Sequence, residues 1–189
     1  MIAQHRSATN EHYSPALIVE PARKLLGHFD LDPASCAKAN RVIQAATFFS
    51  RKDDGLRQPW FGRVFLNPPG GKLKRVGDRW VPVKAGPGKS SMAVWWDYLV
   101  GKWKAGRVER AIFVAFTLEI LRSSQACSMP VQAFPRCYPK ERLRFGGDQP
   151  THGNVLVYLP RQSRPRALEA GDFKACFAEV GYCEGGATL

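Results

Sequence analysis

Asn67-Pro68-Pro69 follows the apolar run Arg63-Val64-Phe65-Leu66, so a strand-like segment ends in a loop whose residue types can do chemistry. Two consecutive prolines fix two φ angles at roughly −65° and remove two backbone donors. Acceptors remain: the Asn67 side-chain oxygen and the carbonyls of Asn67 and Pro68. Their natural guest is a planar exocyclic amino group, held so that its lone pair turns out of the ring plane toward an electrophilic methyl. A rigid turn without chemistry would have the same local sequence. A second chemical loop is Asp30-Leu31-Asp32-Pro33-Ala34-Ser35, where a carboxylate can hold the cationic amino group or the ribose hydroxyls of a cofactor. Solvation and helix capping are the ordinary alternative for such aspartates.

The elements that position these loops are legible from periodicity. Residues 15–26 read as a helix, with Ser14 as N-cap, Pro15 in the first turn and Gly27 as stop. A short strand over 28–32 follows, 41–49 fits helix or strand, and 50–62 is a loop leading into the strand at 63–66. The segment 71–91, with six basic residues and one acid, reads as a mobile basic loop. A helix over 92–104 carries Trp95, Trp96, Leu99 and Trp103 on an apolar face, and 110–117 has the unbroken apolar character of a central strand. Residues 118–126 suggest a helix, 143–145 a strand segment and 154–159 a last strand, with 142–146 and 153–159 as an antiparallel pair. This alternation predicts a compact α/β sheet, mostly parallel with a closing antiparallel strand. Ligands of open α/β sheets bind beyond the carboxyl ends of the strands, where both loops lie.

With 189 residues, 44% of them hydrophobic, the chain can bury one core, so residues 1–189 are expected to form a single domain. The role of a tail over 161–189 stays open. A formal net charge of +12 favours a polyanionic partner, because phosphate neutralisation drives non-specific nucleic-acid affinity. Membrane association fits less well, since no apolar run approaches the ~20 residues a spanning helix needs. Met1-Ile2-Ala3-Gln4-His5-Arg6 lacks the apolar stretch of a signal peptide, so a cytoplasmic location is expected. The five cysteines show no Cys-x-x-Cys spacing; free thiols are expected, with no disulfide framework and no metal site. Lys72, Lys74, Arg75, Arg79, Lys84 and Lys89 follow the Asn-Pro-Pro loop directly and are the candidate DNA-binding residues. Arg136, Lys140, Arg142 and Arg144 form a second basic cluster.

In combination, Tyr13-Ser14-Pro15, Phe29-Asp30-Leu31-Asp32-Pro33-Ala34-Ser35, Asn40, Phe48-Phe49, Asp53-Asp54-Gly55-Leu56, Gln58-Pro59-Trp60 and Gly62 through Pro69 resemble the phage-type DNA adenine N6-methyltransferase family. These are the Dam-like proteins of bacteriophages and prophages. The likeness runs over roughly 12–160, including 111–117 and Thr151-His152-Gly153-Asn154-Val155, and is densest over 28–70. It implies a Rossmann-like methyltransferase fold, S-adenosylmethionine as donor, adenine in DNA as acceptor and a bacterial or phage-infected host cell. On that resemblance Asn67, Pro68, Pro69 and Gly70 form the catalytic loop. Tyr13, Ser14, Pro15, Asp30, Asp32, Pro33 and Ala34 border the cofactor.

Two features depart from the family. The motif usually has an aromatic residue after Pro-Pro, where this chain has Gly70 and Gly71. Another ring must then stack on the base, with Trp80, Trp95 and Trp96 as candidates. Only 35 residues separate Asp32 from Asn67, and no Gly-x-Gly follows Asp32, so the adenosine half of the cofactor pocket must be compressed. Asp53 or Asp54 is the candidate for its ribose or adenine contact. The same acceptor geometry suits cytosine N4, an RNA base or a glutamine amide. A non-catalytic DNA-binding protein on a decayed methyltransferase fold is the reading from another class; Gly70 favours it and the intact Asn67-Pro68-Pro69 opposes it.

Overall fold

Short apolar segments separated by Gly, Pro and Asp assemble around one long central strand. A computed structural model describes residues 13–84, 86–145 and 152–186; Met1 to Arg6, Gly146 and Thr151 lie outside them. The order is α1 (Ala16–Leu26), β1 (Leu31–Asp32), α2 (Ala37–Ile43), β2 (Thr47–Phe48), β3 (Gly62–Leu66), β4 (Lys72–Val76), β5 (Arg79–Val83) and β6 (Lys89–Ser90). Then follow α3 (Ser91–Lys104), β7 (Val108–Ala115), α4 (Ile120–Ser123), β8 (Arg136–Pro139), β9 (Val155–Leu159), α5 (Arg166–Phe177) and β10 (Gly181–Glu184).

The main sheet has seven strands in the order β10-β8-β9-β7-β3-β1-β2. β2, β1, β3 and β7 are mutually parallel. β9 runs antiparallel to both β7 and β8, and β10 antiparallel to β8. The mostly parallel α/β sheet with an antiparallel close is therefore present, but the partner of β9 is 136–139 rather than 142–146. That strand escaped recognition because it starts on an arginine and ends on a proline. Residue 143 is held without a ladder, its amide donating to Asn154 Oδ1 at 2.9 Å.

Strand periodicity divides the core into two layers. Ala111, Phe113 and Ala115 of β7 face Trp95, Trp96, Leu99 and Trp103 of α3. Ile112 and Val114 face the other layer, with Ile18, Val19 and Ala22 of α1 and Phe173 and Phe177 of α5. α1 is fixed by its last turn. Arg110 donates to the carbonyls of Leu25 and Leu26, both at 3.1 Å, and Arg63 donates to Leu26 O at 3.1 Å. These cations satisfy orphan carbonyls at the negative end of the helix dipole. They tie the end of α1 to the starts of β3 and β7. Rising about 16 Å over its 11 residues, α1 brings its own start back toward the carboxyl edge of the sheet.

Residues 71–91 hold regular structure instead of the loop expected for them. β4 and β5 form a hairpin with Val76 opposite Arg79, and β6 adds a third strand beside β4. Gly77 takes a φ of 60° at the first turn position, which suits a two-residue hairpin turn. The lysines of Lys72-Leu73-Lys74 concealed a period-two pattern in which Leu73 is buried and its neighbours are exposed.

Within 161–186 lie α5, packed on α1, and β10, the edge strand of the main sheet. Phe173 and Phe177 are fully buried, and the Tyr158 ring stacks on Phe173 with centroids 5.5 Å apart. Arg136, expected on the basic surface, is buried and donates to Glu184 of β10 and to the carbonyls of Val131 and Phe134. Among the described residues no helix is long and apolar enough to cross a membrane. If the tail belongs to the cooperative core, Phe173→Ala should cost about 3–5 kcal/mol. Urea unfolding should then show a lower midpoint with an unchanged slope; an unchanged midpoint would mean the tail folds independently.

Candidate active site

Leu31 of β1 pairs with Val64 of β3, and Leu66 of β3 pairs with Phe113 of β7. The chain crosses from β1 to β2 on one side and from β3 to β7 on the other, so the strand order reverses between β1 and β3. In open α/β sheets such a reversal is where ligands bind, in the crevice beyond the carboxyl ends of the two strands. The loops after Asp32 and Leu66 therefore leave from the same ends of neighbouring strands.

Asn67 is half-buried and Pro68 buried. Asn67 Nδ2 donates to Ser14 Oγ at 3.1 Å, so its Oδ1 lies on the side of the amide away from Ser14. Ser14 is itself buried. It does not cap α1 as expected: Pro15 is the N-cap residue, and the hydroxyl is turned to Asn67 instead. The anchored α1 delivers Ser14 to this point. The Tyr13 ring lies under Lys38 Nζ of α2, 4.9 Å from the ring centre.

Asp32 is only 3% exposed, and its Oδ1 accepts from the Ala34 amide at 3.2 Å. Burial pushes its carboxyl up to about 7, offset in part by the Ser35 hydroxyl and the Ala34 amide. No cation pairs with it among the described residues. Ser35 Oγ is buried and makes no hydrogen bond of full geometry. Pro33 closes the loop, with its carbonyl 1.9 Å from where a Cβ on Gly55 would lie, so only glycine fits at 55.

Asp30 belongs elsewhere. Its carboxylate accepts from the Arg63 amide at 2.8 Å and lies against Gly62, at the start of β3. Asn67 is four residues further, about 13 Å along an extended strand, so Asp30 ties strands together and does not share the crevice. Asp53 uses its carboxylate to hold the Ser50 amide and hydroxyl at 2.7 and 2.6 Å. Asp54 pairs with Arg79 at 3.5 Å. Neither is brought together with Asp32 by any contact, and each closes a loop. Asn40 likewise closes the turn after α2, bonding the amide and carbonyl of Ala45.

The hairpin is rooted at the site, because the Ser91 amide donates to Gly71 O at 2.9 Å where the chain leaves and returns. Its tip is held by Arg57–Asp78 at 3.3 Å and Arg79–Asp54 at 3.5 Å. It therefore runs along the carboxyl edge from the end of β3 to the loop after β2. Lys72, Lys74 and Arg79 share its outer face, while Leu73, Arg75 and Trp80 share the inner one. Arg75 Nε donates to Gly77 O at 3.1 Å. Lys84 and Lys89 are exposed, the latter 5.9 Å from the centre of the Trp80 ring.

Of the expected stacking rings, Trp95 and Trp96 are core: Trp96 donates to Met129 O at 2.7 Å, and Trp95 lies 5.9 Å from Trp60. Trp80 sits on the inner face of the hairpin. The ring beside the Asn-Pro-Pro loop is Phe116, whose Cζ is 2.8 Å from where a Cβ on Gly70 would lie. Sequence reasoning missed it, and the pairing explains its place: β7 is parallel to β3, and Phe116 directly follows β7 as the Asn-Pro-Pro loop follows β3.

No family model matches the chain, and no curated protein matches it. Among solved structures it is similar to a protein described as a modification subunit of a type I restriction enzyme from Vibrio vulnificus YJ016, with 14% identity and a TM-score of 0.47. The match covers 95% of this chain and 56% of that one, so the chain spans about half of its length. At that level the likeness bears on neither fold nor function.

The buried Asp32 gives a stability prediction. Its carboxyl titrates in the fold at about 7, above the ordinary 3.8, so the neutral form is favoured. Stability from keeping it neutral is complete below about pH 4 and is lost as pH rises through 7. Asp32→Asn keeps an acceptor for the Ala34 amide and removes the charge. It should raise the Tm at pH 8, by roughly 2–4 °C per kcal/mol recovered, and change it little at pH 4. A lower Tm at pH 8 would show that the charged carboxyl is already well paired.

Proposed function

We propose that this chain is an S-adenosylmethionine-dependent methyltransferase acting on an exocyclic amino group of a nucleic-acid base, with N6 of adenine in DNA as the acceptor. The carrying observation is the orientation of Asn67. Ser14 fixes Asn67 through Nδ2, which puts Oδ1 on the other side of the amide, beside a Pro-Pro pair that offers carbonyls and no N–H. Two acceptors there suit the two hydrogens of a planar amino group and leave its lone pair directed out of the ring plane.

The residues of the neighbouring loop fit the amino-acid end of the cofactor. Among the described residues Asp32 is a buried carboxyl without a cation, and Ser35 Oγ is a buried hydroxyl without a full hydrogen bond. Asp32 would hold the cofactor's ammonium, which would draw its pKa back down, and the Ser35 hydroxyl would donate to the carboxylate. The bound cofactor supplies a methyl group on a sulfonium sulfur. Asn67 and the Pro68 carbonyl would hold the amino nitrogen with its lone pair turned toward that methyl, and the proton released from the nitrogen would pass to solvent. No covalent bond to the protein is required. The short, compressed segment between Asp32 and Asn67 leaves the adenosine contact to the loops around Gly55.

DNA as the substrate is supported by the exposed Lys72 and Lys74 beside the loop and by the overall excess of positive charge. Asn67→Ala should abolish transfer of labelled methyl to DNA while S-adenosylmethionine affinity stays within about tenfold, a difference of roughly 1.4 kcal/mol. Retained transfer would remove Asn67 from the chemistry. Lys72→Ala with Lys74→Ala should weaken binding alike across unrelated sequences and lower the slope of log affinity against log salt by up to about two units. Arg75→Ala should change that slope little, since its guanidinium is turned to Gly77. An unchanged slope in the double variant would mean the outer face of the hairpin does not meet phosphates.

A further inference from the structure

We infer that Phe116 is the stacking surface for the acceptor base, reached from the end of β7 and admitted to the loop by the absence of a side chain at Gly70. The inference rests on the methyl-transfer reading above and names the residue that would hold the plane of the acceptor ring. An amino group held by two acceptors in one plane is still free to swing about the line joining them. A flat hydrophobic surface along the ring removes that freedom, and base–aromatic stacking is the usual device.

Three observations point to this ring. Phe116 is half-buried and packs against both core layers, so the ring is anchored where it follows β7 and is not wholly enclosed by the core. Its Cζ, Cε1 and Cε2 lie 2.8, 3.3 and 3.7 Å from the position of a Cβ on Gly70. The ring and any side chain at 70 are therefore mutually exclusive. Pro68, whose carbonyl would hold the amino group, is two residues from Gly70, about 7 Å of extended chain and comparable with the length of a purine.

The backbone beneath the ring is also fixed. Asn154, 6% exposed, donates Nδ2 to Phe116 O at 3.0 Å and accepts the Leu143 amide on Oδ1 at 2.9 Å. A buried amide with both ends used locks the end of β7 against the strand beside it. The His152 ring borders Phe116, with centroids 6.3 Å apart and planes tilted by 57°.

The test is methyl transfer from labelled S-adenosylmethionine to duplex DNA of random sequence, with cofactor affinity measured alongside by calorimetry and folding by thermal unfolding. Phe116→Leu keeps an apolar side chain of similar size and removes the ring face. It should lower kcat/KM for DNA by roughly ten- to hundredfold and leave cofactor affinity within about twofold. Phe116→Trp should keep most of the activity. Gly70→Tyr should lose activity because its Cβ meets the Phe116 ring, and Gly70→Tyr/Phe116→Ala should regain it by moving the aromatic to the neighbouring strand. Wild-type efficiency in Phe116→Leu, or a loss in Phe116→Trp as large as in Phe116→Leu, would overturn the stacking role while leaving the function intact. A wild-type protein that transfers no methyl would overturn both.

Discussion

β3 gives both of its edges to parallel neighbours, β1 on one side and β7 on the other, and the contents of the crevice follow from that pairing. The β1 pairing brings the loop after Asp32 beside the loop after Leu66, and the β7 pairing brings Phe116 beside Gly70. A one-residue slip on either side would turn alternate side chains to the opposite layer and exchange the buried sets. Val64 and Leu66 against the α3 layer, with Phe65 against the α1 layer, make such slips costly. Sterics in the two cores thus define the geometry of a polar site beyond them.

A second dependence runs through the far end of the molecule. Arg63 and Arg110 hold the last carbonyls of α1, and β3 and β7 supply those arginines. Charge at the amino edge of the sheet thereby fixes the helix whose start carries Ser14 to the carboxyl edge. Asn67 is oriented by a residue 53 positions earlier, through a helix docked by electrostatics and packing. The buried Asp32 works in the other direction: its raised pKa marks a group that the fold tolerates at a cost in stability, as sites held ready for a charged ligand commonly do.

The parallel strands and the position of the Asn-Pro-Pro loop at a strand end were legible because an apolar run stopped by two prolines marks where a strand must end. Asp30 and Asp32 were not separable, since two aspartates in one short strand differ only in which end of the neighbouring strand they meet. Ser14 before Pro15 has the pattern of a helix cap, and only the position of Asn67 gives the hydroxyl another partner. Arg136 read as surface because charge normally does; Glu184, 48 residues later, makes its burial possible. The lysines of β4 hid a strand whose inner face is Leu73. Phe116 could not be found from composition, because a central strand has many aromatic and aliphatic residues, and its contact with Gly70 exists only once β7 lies beside β3.

The central claim is that the acceptors at Asn67 and Pro68 direct a methyl group to an exocyclic amino nitrogen. Its most direct test is to incubate the purified protein with isotopically labelled S-adenosylmethionine and DNA, digest the DNA to nucleosides and identify the labelled product by mass spectrometry. The account predicts label in N6-methyladenine. Label on a ring carbon, or none in any nucleoside despite saturating cofactor and DNA, would contradict it.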